Sequence, residues 1–278
     1  MIVTVLHPGA MGAAVAAQAA AKGHQVLWVP DGRSTATRDR AEQAGLTACG
    51  TLREAVTASD LVLSICPPHA AEAVARQVAA HAYTGVYADA NAISPQRMHR
   101  ITGIVRPATA VDGAILGPPP RDGRTCRLYL AGPGHTTAAV AALFTDTAVE
   151  TRSAGDAIGS ASALKMAFAH FQKTARTLAG LSHALADTHG VAALLTDEAH
   201  RMTSQILSDP GYLPSVAARA WRWAPEMEEI ADTLDDAGLP TDLAAAAATV
   251  LAHWESDKDR TDLTLPETLD HLRHTTNP

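Results

Sequence analysis

The strongest constraint on the fold of this 278-residue chain is the alternation of short β-rich runs with alanine-rich stretches over roughly its first half. The runs are rich in β-branched and other apolar residues, as strands are. They cover residues 2–6, 25–29, 61–66, 86–89, 109–115 and 127–131. Because a helical stretch follows most of them, the pattern predicts a mostly parallel, doubly wound α/β sheet.

The pattern changes after residue 153. From about residue 156 to 189 apolar residues recur at helical spacing, and further helical segments follow, with expected interruptions at Pro210, Pro225 and Gly238. We therefore expect a Rossmann-like domain over 1–153 and an all-α C-terminal domain over 154–278. The long helix forms a homodimer interface in one interpretation and packs within its own subunit in the other. Between the last two predicted strands, 117–123 is rich in proline and glycine and predicts a rigid loop.

Composition narrows the class of protein. The formal net charge of −7 and the lack of a basic run argue against nucleic-acid and membrane-surface partners. No apolar stretch approaches the roughly 20 residues that cross a bilayer. Three widely spaced cysteines, Cys49, Cys66 and Cys126, predict reduced and mostly buried thiols with no disulfide framework or metal site. We expect a cytoplasmic protein with a small-molecule substrate.

A small-residue turn follows the first predicted strand. Its residues are His7, Pro8, Gly9, Ala10, Met11 and Gly12. A strand, a glycine turn and a helix start in this order can place a helix N-terminus against a dinucleotide pyrophosphate. The first glycine of the GxGxxG pattern falls at His7, so the glycine pair alone is nonspecific, and a tight turn without a ligand stays an alternative.

The second predicted strand leads into a charged loop where the adenine-side ribose would lie. Asp31 there is suited to the free ribose 2′-hydroxyl of NAD(H). Arginine beside a hydroxyl is suited instead to the 2′-phosphate of NADP(H), and the candidates are Arg33, Ser34 and Arg38. We favour NADP(H), with Asp31 turned outward; a solvated charged loop is the alternative.

Lys165 stands near the start of the long predicted helix among apolar neighbours, and it is one of only four lysines. Small residues one turn earlier would let a ligand approach, and partial burial could bring its pKa into a range useful for proton transfer. The simpler interpretation is a lysine whose stem packs on the helix while its ammonium reaches water.

The order of these features, with Asp89-Ala90-Asn91 and Asp112-Gly113-Ala114 between them, resembles the β-hydroxyacid dehydrogenases. That family includes 3-hydroxyisobutyrate and 6-phosphogluconate dehydrogenases, with imine reductases as relatives. The resemblance implies that Lys165 is the general acid and base at the carbinol oxygen. It also implies that Pro67 and Pro68 line the cofactor groove and that Asn91 contacts substrate and cofactor. Cys66 could face the same groove or be a buried structural thiol.

Two departures from the family alter the expected substrate contacts. The family's Ser-Gly-Gly turn, which binds a carboxylate, is replaced by Leu116, Gly117 and Pro118, and the family's asparagine one turn beyond the lysine is replaced by Ala169. We expect Leu116, Gly117 and Ala169 to border a less polar substrate site.

Three functions follow. The first is NADPH-dependent reduction of a carbonyl, with Lys165 as proton donor; the second is imine reduction on the same fold; the third is dinucleotide binding without catalysis. Nucleophile elbows of the GxSxG type, GxxxxGK[ST] phosphate loops and HExxH zinc pairs do not occur in the sequence.

Overall fold

The computed structural model describes residues 1–202, 206 and 209–273. Among these residues one eight-stranded sheet has the order β3-β2-β1-β4-β5-β6-β7-β8. The strands are β1 Ile2–Leu6, β2 Gln25–Trp28, β3 Thr47–Ala48, β4 Leu61–Ser64, β5 Val86–Asp89, β6 Thr109–Leu116, β7 Cys126–Ala131 and β8 Val149–Ser153. Every neighbouring pair is parallel except β6 and β7. The predicted doubly wound fold is therefore confirmed, with two additional strands, β3 and β8.

Helices follow most of the strands. They are α1 Ala10–Ala21, α2 Thr35–Gln43, α3 Leu52–Ala58, α4 Ala71–Ala79, α5 Pro95–Ile104, α6 Gly134–Ala142, α7 Ser160–Thr188, α8 Ala192–His200, α9 Leu213–Asp236, α10 Asp242–Ala252 and α11 Leu265–His271. Several begin where the sequence supplies a cap. Ser94 accepts a hydrogen bond from Arg97 N at 3.2 Å at the start of α5, and Thr51 and Glu54 form a capping box at α3.

Alternating strand residues build a core on each face of the sheet. In β4, Leu61 and Leu63 belong to one apolar cluster, and Val62 belongs to the other. Because successive side chains of a strand point to opposite faces, helices must cover both sides of such a sheet. This packing leaves the carboxyl ends of β1, β4, β5 and β6 together at one edge.

The chain divides into two compact units, one over residues 1–165 and one that begins at Met166. The predicted division after residue 153 stays a prediction. In the second unit α10 packs along α9, and Trp254 is fully buried with its indole N–H donated to Thr268 O at 2.8 Å.

The predicted interruption at Pro225 is wrong, because α9 continues through this residue. Proline removes one backbone hydrogen bond from a helix, but tertiary packing can offset the loss. Here Ala220, Met227 and Ile230 are buried on either side of the proline. No helix in the described ranges has both the length and the apolar character needed to cross a membrane.

Candidate functional site

The turn after β1 has the geometry of a phosphate-binding turn. His7 adopts a left-handed conformation with φ 62°, and its carbonyl accepts a hydrogen bond from Gly9 N at 2.7 Å. A Cβ on Gly12 would lie 3.0 Å from His7 O, so this glycine lets α1 pass close to the turn. A Cβ on Gly9 would meet nothing closer than 4.0 Å. The backbone at Gly9 is therefore open to a ligand, and α1 begins directly after it.

A cleft of about 290 Å³ lies beside this turn in the first unit. Its lining includes two of the predicted cofactor residues, His7 and Arg33, together with Asp31. The remaining lining residues were not singled out by the sequence; they are Val5, Leu6, Val29, Gly50, Thr51, Leu52, Val74 and Gln77. Gly50 and Thr51 follow β3, a strand of two residues whose pattern is too short to be recognised.

Arg33 provides the positive charge of this cleft. Burial, and then the charge of Arg33, lower the pKa of His7 to about 4, so the imidazole is neutral at pH 7. Burial lowers the pKa of Arg33, and the charge of the nearby Asp31 partly offsets this shift. Both candidates for ribose recognition, the acidic Asp31 and the basic Arg33, therefore line the cleft. We expected Asp31 to turn outward, but the structure places it in the lining.

Ser34 and Arg38 form hydrogen bonds with neighbouring backbone groups of the same loop. Ser34 Oγ caps α2 by accepting a hydrogen bond from Thr37 N at 3.3 Å, and Arg38 Nε donates to Arg33 O at 3.3 Å. Neither lines the cleft. Their contact with a 2′-phosphate stays a prediction.

Asn91 links the ends of β4 and β5. Its amide oxygen accepts from Cys66 N at 2.5 Å, and its amide nitrogen donates to Ser64 Oγ at 3.1 Å and to Asp89 Oδ2 at 2.9 Å. With both amide N–H groups used and the residue buried, Asn91 shapes the edge of the sheet. Its contact with a ligand stays a prediction.

The cysteines and prolines near β4 differ in accessibility. Burial raises the pKa of the Cys66 thiol to about 12, so the thiol is protonated at pH 7. Pro67 is exposed, whereas Pro68 is buried and accepts a hydrogen bond from Arg97 Nη1 at 3.1 Å. Cys126 is buried, and Cys49, beside Gly50 of the cleft, is partly accessible. Groups of three or more metal-ligating side chains are absent from the described residues.

Lys165 is held at the same edge of the sheet. Its ammonium donates to Ile115 O at 3.1 Å, one residue before β6 ends. The side chain is partly buried. Since β6 runs parallel to β5, the ammonium lies at the edge where β1, β4 and β5 also end. The first unit therefore brings a dinucleotide-type turn and a lysine ammonium to one edge of one sheet.

Asp112 fixes the helix that carries this lysine. Asp112 Oδ2 accepts hydrogen bonds from Gly159 N at 2.9 Å, Ala161 N at 3.0 Å and Ser162 N at 3.1 Å. Its other oxygen accepts from Ser162 Oγ at 2.6 Å. The carboxylate thus accepts hydrogen bonds from the free N–H groups at the start of α7. Its negative charge also interacts favourably with the positive end of the helix dipole. Sequence reasoning placed Asp112 in the family pattern without a role; an acid in an apolar strand was the available signal.

The remaining predicted substrate residues are structurally constrained. Leu116 is buried in a small cluster with Ala114, Ala131 and Ala161. Gly117 has φ 116°, and a Cβ there would lie 3.2 Å from Thr125 O, so the β6–β7 connection requires glycine at this position. Ala169 is buried in the second unit. Substrate contact at Leu116, Gly117 and Ala169 stays a prediction.

Two segments of the chain match family models. Residues 2–87 match a family described as "NADP oxidoreductase coenzyme F420-dependent", and residues 186–254 match a domain of unknown function, DUF1932. A curated relative from Methanothermus fervidus, an uncharacterized 28.5 kDa protein, is 30% identical over 135 residues. That match covers 49% of this chain and 51% of the relative, so the chain spans about half of the relative's length.

Solved structures resemble nearly the whole chain. Mycobacterium tuberculosis 3-hydroxyisobutyrate dehydrogenase is 20% identical, with a TM-score of 0.76 and coverage of 98% of this chain and 99% of that one. An imine reductase from Bacillus cereus is 18% identical, with a TM-score of 0.61 and coverage of 99% of both. The predicted resemblance to 3-hydroxyisobutyrate dehydrogenases and imine reductases is confirmed, and at these identities it shows a shared fold.

Proposed function

We propose that this protein is an NAD(P)H-dependent oxidoreductase that interconverts a carbonyl group and an alcohol on a small substrate. The observation that carries the proposal is the position of the Lys165 ammonium, 3.1 Å from Ile115 O at the carboxyl edge of the sheet. Ligands of doubly wound folds bind at that edge. The family match over 2–87 and the dehydrogenase-like fold support the same conclusion.

Lys165 would move the proton of the reaction. In reduction it would donate a proton to the substrate oxygen as negative charge develops there; in oxidation it would accept the proton. The Ile115 carbonyl holds the ammonium, and Asp112 holds the start of α7, so the proton donor is positioned before substrate arrives. The 6-phosphogluconate dehydrogenase resemblance stays a prediction.

The residues present suit a dinucleotide. The space at Gly9, the close helix approach at Gly12 and the cleft beside His7 and Arg33 would hold the pyrophosphate and the adenine-side ribose. When bound, the nicotinamide would supply or accept the hydride.

Lys165→Ala tests the catalytic role. Loss of general acid catalysis should lower kcat about a hundredfold or more, with NADPH affinity retained. Lys22→Ala, on the exposed surface of the same unit, is the matched control and should keep full activity. Unchanged turnover in Lys165→Ala would reject the role of this lysine.

Imine reduction is the second candidate, favoured by the Leu116-Gly117-Pro118 turn. Leu116 is buried and Pro118 has no N–H, so this turn has fewer donors for a carboxylate than Ser-Gly-Gly. A panel of ketones, hydroxy acids and cyclic imines, followed at the nicotinamide absorbance, separates the two chemistries. Saturable NADPH binding without turnover on the whole panel would favour a non-catalytic dinucleotide-binding protein.

NADP(H) preference rests on Arg33. Arg33→Ala should weaken NADPH binding at least about tenfold more than NADH binding, because a guanidinium pairs with the 2′-phosphate. Fluorescence titration of both reduced cofactors measures the ratio. An unaltered ratio would assign ribose recognition to Asp31 and favour NAD(H).

A homodimer through the helical unit is supported by an apolar stripe on α7. Phe168, Phe171 and Leu178 recur at helical spacing and are 41%, 61% and 60% exposed. Phe171→Asp should shift sedimentation toward the monomer, whereas Leu194→Asp, 64% exposed on α8, should not. A monomeric wild-type protein would contradict this proposal. The cytoplasmic location stays a prediction.

A further inference from the structure

In the second unit three basic side chains lie over two aromatic rings, and a fourth, Arg222, is close enough to Arg219 for its charge to act on that residue. This basic cluster consists of Lys173 and Arg176 on α7 and Arg219 and Arg222 on α9. Lys173 and Arg219 each lie 5.4 Å from the centre of the Trp223 ring, and Arg176 lies 5.6 Å from the centre of the Tyr212 ring. Cations at these distances interact favourably with the ring faces.

Two of the guanidinium groups are held in place. Arg219 Nε donates to Ser215 O at 2.6 Å, and its Nη2 donates to Ser215 Oγ at 2.5 Å. Arg176 Nη1 donates to Gln172 O at 2.8 Å. A guanidinium has five N–H donors, so each arginine keeps donors for a further partner. Stacking and hydrogen bonding together reduce the entropy lost when that partner binds.

The cluster carries more positive than negative charge. Lys173 pairs with Glu226 at 2.5 Å, but within the described ranges no carboxylate lies at ion-pair distance from Arg176, Arg219 or Arg222. The residues outside those ranges contain no aspartate or glutamate. Burial, followed by the charges of Arg222 and Arg176, lowers the pKa of Arg219. Partly buried like charges repel, and an anion placed among them would relieve the repulsion.

We propose that the basic cluster is a binding site for a small oxyanion, a carboxylate or a phosphoryl group, held by Arg176 and Arg219. The planar donor forks of arginine match the paired oxygens of both groups. Trp223 and Tyr212 would border the less polar part of the same molecule. This site goes beyond the proposed hydride transfer and does not depend on Lys165.

A small ligand fits better than a nucleic acid. Four basic residues on two helices make a compact patch, and the chain as a whole has a net charge of −7. Nucleic-acid surfaces instead spread basic residues along an extended face.

Calorimetric titration of the full chain with inorganic phosphate and with malonate, at constant ionic strength, tests the site. We expect one probe to bind the wild type in the millimolar range or tighter. The double variant Arg176→Gln/Arg219→Gln should weaken binding at least about tenfold. Tighter phosphate binding would identify a phosphoryl group, and tighter malonate binding a carboxylate.

A control variant separates this site from nonspecific charge effects. Arg201→Gln removes an exposed arginine of the same unit that pairs with Glu198, and it should bind the probe as the wild type does. Arg219→Lys keeps the charge without the fork, and its intermediate affinity would test the site even if the double variant failed to fold.

Equal affinity in the wild type and in a folded double variant, or a wild type that binds neither probe, would overturn the proposal. Failure of hydride transfer in Lys165→Ala has no effect on these titrations, so the two proposals can fail separately.

Discussion

Two helix N-termini in the first unit differ in whether a side chain accepts hydrogen bonds from their N–H groups. We call the uncapped start of α1 the open end and the start of α7, which bonds Asp112, the closed end. At α1 the residue before the helix is Gly9, no side chain caps the helix, and its first turn has no acidic residue. At α7 the buried Asp112 carboxylate accepts four hydrogen bonds, three of them from backbone N–H groups. The first turn of α1 therefore has no side-chain acceptor for its N–H groups, whereas the first turn of α7 has the Asp112 carboxylate.

This difference separates binding from positioning. An open helix start has unsatisfied donors and a partial positive charge, which favour a phosphate. A closed start cannot bind a ligand there, but it fixes the direction of the helix and of the side chains on its first turns. Lys165 lies within those turns, so the closed helix holds the proposed proton donor.

The largest expected effect comes from removing the Asp112 carboxylate at the closed end, the start of α7. Asp112→Ala would leave several buried N–H groups without an acceptor and should lower the free energy of unfolding by about 3 kcal/mol. Chemical denaturation measures the change. Glu42→Ala, at an exposed acid on helix α2, is the control and should change stability by less than about 0.5 kcal/mol. A loss below about 1 kcal/mol in Asp112→Ala would show that water replaces the carboxylate.

Closing the open end should have the next largest effect. Gly9→Asp would cap α1 and gain about 1 kcal/mol of helix stability, while its charge would repel the cofactor pyrophosphate. We expect NADPH affinity to fall about a hundredfold, because the helix donors are occupied by an anion of the same sign. Gly9→Asn is the uncharged cap for comparison and should lose less affinity. Equal binding by the wild type and Gly9→Asp would place the pyrophosphate elsewhere.

The buried anion at the closed end also affects a neighbouring acid. Asp89 lies opposite Asp112 in the β5–β6 register. Burial, and to a lesser extent the charge of Asp112, raise the pKa of Asp89 to about 7, although hydrogen bonds from Asn91 lower it. Burial, and then the charge of Asp89, raise the pKa of Cys66 and of Tyr87.

This raised pKa predicts a pH dependence of stability. Between about pH 4 and 7 the folded protein binds more protons at Asp89 than the unfolded chain does, so stability falls as pH rises and levels off above that window. We expect the wild type to lose about 2 kcal/mol more than Asp89→Asn between pH ~5 and pH ~8. Denaturation of both proteins at the two pH values measures the difference. Parallel pH profiles would contradict the assignment to Asp89.

The smallest expected effect concerns the conformation of the open turn. His7 has a positive φ, which costs a non-glycine residue about 1 kcal/mol or more, and His7→Gly would restore glycine to the first position of GxGxxG. The relief of this strain should be partly cancelled by the greater conformational entropy that glycine gives the unfolded chain. The free energy of unfolding should therefore change by less than about 1 kcal/mol. Thermal denaturation measures the change. Ala82→Gly, at an exposed residue that also has a positive φ, is the control. A loss above about 2 kcal/mol in His7→Gly alone would assign the imidazole a packing role.

Local patterns were sufficient to predict most of the fold. The runs that became β1, β4 and β5 are bounded by turn residues, and the helical spacing from about residue 156 predicted α7 close to its observed limits, Ser160–Thr188. Strand β3, with two exposed residues, and β8, which is mostly polar, have little periodicity. Pro225 was misread because tertiary packing, which a single sequence does not contain, maintains α9 through it.

The candidate site was less predictable because its contacts are distant in sequence. Asp112 bonds residues 47 to 50 positions away, and Asn91 bonds residues 25 and 27 positions away. The sequence identified which residues could carry chemistry, such as Lys165 and Arg33. The sequence could not reveal which polar side chains form hydrogen bonds within the fold, as those of Asn91 and Ser34 do.

The three cysteines provide a ready means of observing the cleft. With Cys126 buried and the thiol of Cys66 kept protonated by a pKa of about 12, maleimide dyes should react first at the partly accessible Cys49. Cys49 directly precedes Gly50 and Thr51, which line the cleft. A fluorophore attached there would report whether NADPH enters this cleft, as we propose, without any engineered labelling position.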